Sequence, residues 1–179
     1  GRRSVGRIAP EPLPREVVAE LLEAAVMAPN HRLTHPWRFV VLTGDARGEV
    51  GAAHARAVAR LKPGHPEAGL VKEAARLDRA PVVIACWVPG SDDPVRARED
   101  RDAVAAGVQN LLLAAQAKGL AAIWRTGTMA DEPEVAEALG LAPGDSLVAM
   151  VYLGHPGDDA PPPPRDRPAV DDVTVWRGW

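Results

Sequence analysis

Cysteine, serine and aromatic residues are all scarce in this chain of 179 residues. Cys86 is the only cysteine, which excludes an internal disulfide framework and leads us to expect a cytoplasmic protein. No apolar run approaches the ~18 residues that a membrane span needs, and no signal-peptide pattern opens the chain. With only five Trp, one Tyr and one Phe, the apolar share rests largely on Ala, which predicts a helix-rich, closely packed core.

The chain also lacks an excess of either charge. Its net charge of −3 argues against a general nucleic-acid-binding protein. The apolar fraction of 46% and charged fraction of 25% are typical of a globular protein, and the length predicts one domain over residues 1–179. Because the chain begins with Gly1 rather than Met, we expect that residues have been removed or replaced before it.

Several motifs of common enzyme classes are missing. None of the serines lies in G-x-S-x-G, and neither a P-loop nor a G-x-G-x-x-G turn occurs, which argues against hydrolase, NTPase and Rossmann dehydrogenase folds. His31 and His35 have a metal-ligand spacing, but they lie between Pro29 and Pro36 and no Cys is near, so we predict no metal site. Cys86 lies in an apolar run and is expected to pack rather than react.

Apolar periodicity and Gly or Pro breakers predict a chain of alternating helices and strands. The predicted helices are 15–27, 46–61, 67–78, 95–118 and 132–139. The predicted strands are 38–42, 81–88, 120–125 and 147–153, with a strand-like run at 173–176. Residues 108–115 are nearly all apolar, which predicts a helix buried on every side, covered in part by a second subunit. The Pro-, Asp- and Arg-rich tail after His155 is typical of an arm laid on another surface.

Two polar clusters could bind a ligand. Arg2, Arg3 and Ser4 form either a solvated basic end or an anion clamp, since guanidinium groups suit phosphate. Trp124, Arg125 and Thr126 end the third strand. Either Trp124 packs in the core and Arg125 forms a surface ion pair, or Trp124 is a flat wall and Arg125 a cation beside a planar anionic ligand. The residues alone leave both alternatives open.

Taken in order, four segments resemble the nitroreductase family of flavoproteins, and most of all its small, single-domain bacterial NAD(P)H nitroreductases. The segments are Arg2–Arg7; Ala28–His31 with His35–Phe39; Ala105–Ala115 with Gly119-Leu120; and Ile123–Gly127 with Tyr152–Gly154. The resemblance implies an α+β fold, with a mixed β-sheet flanked by helices, in an intertwined homodimer. It further implies FMN sites at the subunit interface and an extended arm, residues 155–179, on the partner subunit.

The resemblance also assigns residues to ligands. It implies FMN contacts from Arg2, Arg3, Ser4, Met27, His31, Trp124, Arg125 and Thr126. Of these, Met27 and His31 would act from the opposite subunit, and Met27 departs from the basic residue expected in close relatives. The stretch assigned to NAD(P)H corresponds to Ala114, Ala115, Gln116, Ala117, Lys118 and Gly119. No catalytic acid or base and no metal is implied.

The implied activity is that of an FMN-dependent oxidoreductase with NADH or NADPH as electron donor. Hydride would pass to the flavin and then, in ping-pong order, to a small electron-poor acceptor such as a nitroaromatic compound or a quinone. Two alternatives stay open at this stage. One is a specialised FMN enzyme of the same fold that dehydrogenates a metabolite or cleaves a flavin, and the other is a flavin-binding dimer without turnover.

Overall fold

A computed structural model describes residues 2–127, 129, 132–157 and 166–179. The helices are α1 (Arg15–Val26), α2 (Asp45–Leu61), α3 (Glu67–Ala74), α4 (Pro94–Ala117) and α5 (Pro133–Ala138). The strands are β1 (Arg38–Leu42), β2 (Val82–Val88), β3 (Ala121–Arg125) and β4 (Ser146–Gly154). Three short 3-10 helices are His31–Leu33, Ala75–Arg79 and Val170–Val173.

The strands form one sheet in the order β1-β2-β4-β3, and every neighbouring pair is antiparallel. The α+β class is therefore confirmed. The mixed sheet expected from the resemblance is not found among these four described strands, because each returns beside its neighbour in the opposite direction. Any parallel pairing would need a strand from elsewhere.

The two central strands, β2 and β4, are buried on both faces. Val82, Ile84 and Cys86 of β2 point toward a layer formed by α1 and α4, and the alternate residues Val83 and Ala85 point toward the opposite core. That second core is covered by α2, α5 and the Ala75–Arg79 helix. Burial on both faces explains why β2 reads as a continuous apolar run rather than an alternating one.

Helix α4 is the longest element and has clear end signals. The Asp93 carboxylate accepts hydrogen bonds from the backbone N–H groups of Val95 and Arg96, and Gly119 adopts φ +71° just beyond the helix. Within the single chain, Leu111 and Leu112 are buried and Leu113 is 48% exposed, so the expected cover of this side by a second subunit stays a prediction. The sheet and α1 cover only part of the helix surface.

Two other expectations differ from the structure. The helix predicted over 67–78 is α-helical only to Ala74 and ends as a 3-10 helix, since Pro81 favours extended backbone at Ala80 (φ −145°). The predicted strand at 173–176 is absent from the described tail, where Trp176 Nε1 instead donates to Asp171 Oδ1 (3.1 Å). A strand needs hydrogen bonds to a neighbouring strand, and the tail has no such neighbour in the described chain.

Among the residues that the structure describes, no helix is both long and apolar enough to span a membrane.

Candidate functional site

The N-terminal segment lies along the outer edge of β3. Val5 N–H donates to Ala122 O (3.1 Å), Ala9 N–H to His155 O (2.9 Å), and Gly157 N–H to the carbonyl of Arg7 (3.1 Å). From Ile8, level with the end of β4, the segment runs back past Ala122 toward the carboxyl end of β3. It therefore carries Arg2, Arg3 and Ser4 toward the edge where Arg125 lies.

Gly154 permits this close approach. A Cβ atom at Gly154 would lie 2.5 Å from Ile8 Cγ2 and 2.9 Å from the ring of Pro81, well inside van der Waals contact. Glycine at the last position of β4 is thus required for the N-terminal segment to dock in this position.

The side chains of the N-terminal cluster are available to a ligand. Arg2 and Arg3 are half-buried and Ser4 is exposed, with Arg2 Nη1 3.5 Å from Ser4 Oγ. Neither guanidinium forms an ion pair with a carboxylate of the described residues. A cationic group without a counter-ion is what an anionic ligand requires.

Arg125 faces a cavity of about 290 Å³. Its guanidinium carbon lies 5.7 Å from the ring centre of Tyr152, and its buried Nε has no hydrogen-bond partner in the described part of the chain. The cavity is lined by Arg76, Arg125, Thr126, Met129, Met150 and Tyr152. Burial raises the pKa of Tyr152, while Arg76 and Arg125 act in the opposite direction.

Residues 124–126 do not act as one unit. Trp124 packs against the α1/α4 layer, on the face of the sheet opposite to Arg125, because neighbouring strand residues point to opposite faces. Thr126 is exposed at the cavity. The structure therefore brings Arg125 and Thr126 together and leaves Trp124 outside the cavity. Its flavin contact stays a prediction.

Met27 directly follows α1, and His31 lies in the loop between α1 and β1. Met27 is 79% exposed, and His31 is exposed above an open hollow of about 590 Å³ that also contains Glu99 and Asp102. The loop that carries His31 leads into β1, an outer strand, whereas β3 is the outer strand on the opposite side. Three strand spacings of ~4.8 Å separate the two edges by about 14 Å. His31 thus precedes the strand at one end of the sheet order, and Arg125 ends the strand at the other.

The backbone of the loop that carries His31 is strained, and the buried carboxylate of Asp100 anchors this loop. Arg32, Leu33 and His35 adopt positive φ angles of 56°, 53° and 47°, which are unfavourable for residues with a Cβ. Thr34 Oγ1 donates to Asp100 Oδ1 (2.5 Å) and accepts from Asn30 Nδ2 (2.8 Å).

Asp100 is only 6% exposed, and Arg96 Nε donates to its other oxygen at 3.3 Å. Sequence reasoning missed this support, because Asp100 sits within a charged run typical of a solvated helix face.

The stretch assigned to NAD(P)H is only partly accessible. Ala115 is buried and Ala114 half-buried, whereas Gln116, Ala117, Lys118 and Gly119 are exposed at the end of α4. Lys118 forms an ion pair with Glu20 of α1. The role of the stretch stays a prediction.

A second missed cluster lies behind the cavity. Arg76 Nη1 donates to Glu73 Oε2 (2.6 Å), and the same oxygen lies 3.1 Å from Nε2 of His54. His54 is 1% exposed, and burial lowers its pKa. No group of three metal-ligating side chains occurs within the described ranges.

The fold is α+β, with arginine side chains carried by the outer strand β3 and by the N-terminal segment that docks on it. A sequence profile of the nitroreductase family matches residues 1–155. A Bacillus subtilis protein, provisionally named NAD(P)H nitroreductase YfhC, is 33% identical over 175 residues, covering 97% of this chain and 89% of the relative. The chain belongs to the nitroreductase family.

Solved structures agree with this assignment. A nitroreductase-like family protein from Bacillus cereus superposes with a TM-score of 0.85 at 25% identity, covering 99% of this chain and 92% of the other. A provisionally named nitroreductase from Desulfovibrio desulfuricans, solved in complex with FMN, has a TM-score of 0.74 at 28% identity, covering 99% and 93%.

Proposed function

We propose that the protein is an FMN-dependent NAD(P)H oxidoreductase that reduces nitroaromatic compounds, quinones or other electron-poor molecules. The observation that supports the proposal is the hydrogen bond from Val5 to Ala122, which docks the N-terminal segment on β3 and directs Arg2–Ser4 toward the end that carries Arg125, in a chain that belongs to this family. Within the described residues, Arg125 Nε has no hydrogen-bond partner and Arg2 and Arg3 have no carboxylate partner, which fits a ligand with a phosphate group.

Each residue of this edge has a defined task in binding. Arg2 and Arg3 present planar sets of N–H donors that suit phosphate oxygens, and Ser4 adds a hydroxyl donor and acceptor. FMN held here would supply hydride transfer from NADH or NADPH to the acceptor in ping-pong order. The positive charge of the arginines stabilises negative charge that develops nearby. We assign no catalytic acid or base, since the exposed site admits water as a proton source.

We further propose that two copies of the chain complete each site, with Met27 and His31 of one copy meeting the β3 edge of the other. Three exposed apolar groups support a homodimer: Leu113 on α4, Leu33 beside His31, and the tail residues Val170–Trp179. The tail would be the described part of an arm on the partner subunit; residues 158–165 of that arm lie outside the described residues.

Two finer assignments belong to the same proposal. The exposed residues Gln116–Gly119 would contact the nicotinamide donor. We also retain the cytoplasm as the location, because the single Cys86 is buried and cannot form an intramolecular disulfide.

The activity is tested by spectroscopy on the full-length chain. With FMN bound, anaerobic addition of NADPH or NADH should bleach the flavin absorbance, and a nitroaromatic acceptor such as 4-nitrobenzoate should restore it. A chain that binds no FMN, or whose bound flavin is not bleached by either donor, would contradict the proposal.

The placement of FMN is tested by Arg3→Ala, with Arg7→Ala as matched control. Loss of a charge-assisted hydrogen bond of ~1.5–3 kcal/mol should weaken FMN binding about 10- to 100-fold. Arg7 is exposed, and only its backbone carbonyl is used in docking. Equal FMN affinities for the two variants, measured by flavin fluorescence, would remove Arg3 from the site.

The dimer is tested by dilution. FMN should be released at the concentration at which light scattering detects monomers, because a ligand that bridges two chains binds only the dimer. Deleting residues 165–179 should shift both transitions together to higher concentration. A monomer that retains FMN would refute the shared site.

A further inference from the structure

The cavity beside β3 has cationic walls. Arg76 enters it from the Ala75–Arg79 helix and Arg125 from the end of β3, so the two guanidinium groups come from different elements. No Asp or Glu is among its described lining residues. A recess with charge of one sign and low-dielectric walls concentrates counter-ions.

Arg76 is held in place from behind. Glu73 accepts from Arg76 and also contacts His54, which is buried under α3. Burial lowers the pKa of His54, and the Glu73 carboxylate offsets the charge of Arg76. The charge of Arg125 has no such counter-ion within the described residues. The described lining of the cavity therefore carries a net positive charge.

The size and lining indicate a small anionic group. At about 290 Å³, the cavity is at the lower end of the ~300–1,000 Å³ typical of small-molecule sites, which suits one group rather than a whole dinucleotide. Thr126 and Tyr152 add hydroxyl groups to the two guanidiniums. Guanidinium forks with hydroxyl donors are a typical environment for phosphate oxygens.

We infer that the cavity between Arg76 and Arg125 binds a phosphomonoester dianion, and that Arg76 is a specificity-determining residue for it. The phosphate could belong to FMN, to the 2′ position of NADPH, or to a free phosphorylated or inorganic ligand. The first two sources rest on the proposed function, whereas the third does not.

The test compares Arg76→Gln with Arg79→Gln in the full-length chain. Both substitutions remove one positive charge from the same 3-10 helix, but Arg79 is exposed and is not among the cavity's lining residues. Three measurements are made on each variant and on the parent: affinity for FMN and for riboflavin, KM for NADPH and for NADH, and the melting temperature in inorganic phosphate against chloride of equal ionic strength. Arg76→Lys, which retains the charge, should recover part of any loss.

Each source predicts a different result for Arg76→Gln. If the phosphate is that of FMN, FMN affinity falls about 10- to 100-fold while riboflavin affinity is unchanged. If it is the 2′-phosphate of NADPH, only the KM for NADPH rises, by a similar factor. If it is a free ligand, inorganic phosphate raises the melting temperature of the parent and not of the variant.

The inference would be overturned if Arg76→Gln and Arg79→Gln gave the same affinities, KM values and melting temperatures. If both variants then still bound flavin and were active, the proposed function would stand. Conversely, a chain that binds no flavin but is stabilised by phosphate only when Arg76 is present would refute the proposed function and retain the anion site.

Discussion

Replacing Asp100 should destabilise the His31 loop specifically, because this carboxylate is the buried anchor of a strained segment. Asp100→Ala removes the 2.5 Å hydrogen bond from Thr34 and the 3.3 Å bond from Arg96. A hydrogen bond to a charged group contributes ~1.5–3 kcal/mol. The Arg96 pair is more than half exposed on the arginine side, so its share is ~0.2–1 kcal/mol. The Thr34 bond therefore dominates the expected loss.

A total loss of ~1.7–4 kcal/mol should lower the melting temperature by roughly 3–16 °C, at about 2–4 °C per kcal/mol for a chain of this size. Asp100→Asn, which keeps an acceptor but not the charge, should give an intermediate value, since charge-assisted bonds are roughly twice as strong as neutral ones. The matched control is Asp92→Ala, an exposed carboxylate just before the same helix, which should change the melting temperature little.

A double-mutant cycle separates the anchor from general damage to α4. Thr34→Ala and Asp100→Ala should be less damaging together than the sum of the single changes, with a coupling of ~0.5–3 kcal/mol. Additive effects would show that the Thr34–Asp100 bond does not hold the loop. FMN affinity is measured on the same variants. Loss of the Thr34–Asp100 bond should lower it only if His31 contacts the flavin.

Three further outcomes are expected. Burial lowers the pKa of His54, so the unfolded chain binds that proton more tightly, and the free energy of unfolding should fall as the pH drops below about 6.5. In urea titrations at pH above 5.5, a His54→Gln chain should lose most of this decline, because Glu73, whose pKa is lowered, stays ionised there. An unchanged decline would contradict the assignment to His54. Gly154→Ala should displace Ile8 and the N-terminal segment at a cost of ~1–3 kcal/mol and release FMN, whereas an unchanged FMN affinity would show that the docking is not needed. Burial raises the pKa of Cys86 to about 12, so a thiol reagent at pH 8 should label the folded chain only after denaturant is added; rapid labelling without denaturant would show that β2 opens readily.

The elements with strong local signals could be predicted from sequence. β2 lies between Pro81 and Pro89 and consists almost wholly of apolar residues, so its length and its burial on both faces follow from composition and breakers. α4 begins at Asp93-Pro94 and ends before Gly119, where capping chemistry sets both ends. Neither signal specifies strand direction, because antiparallel and parallel central strands have the same apolar character. The all-antiparallel pairing therefore escaped prediction.

The tail and the cavity escaped prediction for different reasons. Val173–Trp176 has side chains that favour strands, but a strand also needs a neighbour, and the described part of this single chain supplies none at that place. Arg76 lies in a run with Arg79 and Asp78 that is typical of a solvated face. Only the packing of that 3-10 helix against the sheet turns one of these arginines inward.

The opposite charges of the two separated regions argue for one orientation of the bound ligand. Arg76 and Arg125 make the cavity at the end of β3 cationic, whereas Glu99 and Asp102 contribute negative charge to the His31 hollow. A phosphate group is attracted to the first region and repelled by the second. In a two-fold dimer that joins the two regions, we therefore expect the phosphate end of FMN at the β3 edge and its uncharged ring toward His31 of the other copy. Reversing the charge at Glu99 with Glu99→Lys should then weaken this preference without touching any phosphate contact, and a crystal structure of the FMN complex would show whether the ring or the phosphate lies nearer to His31.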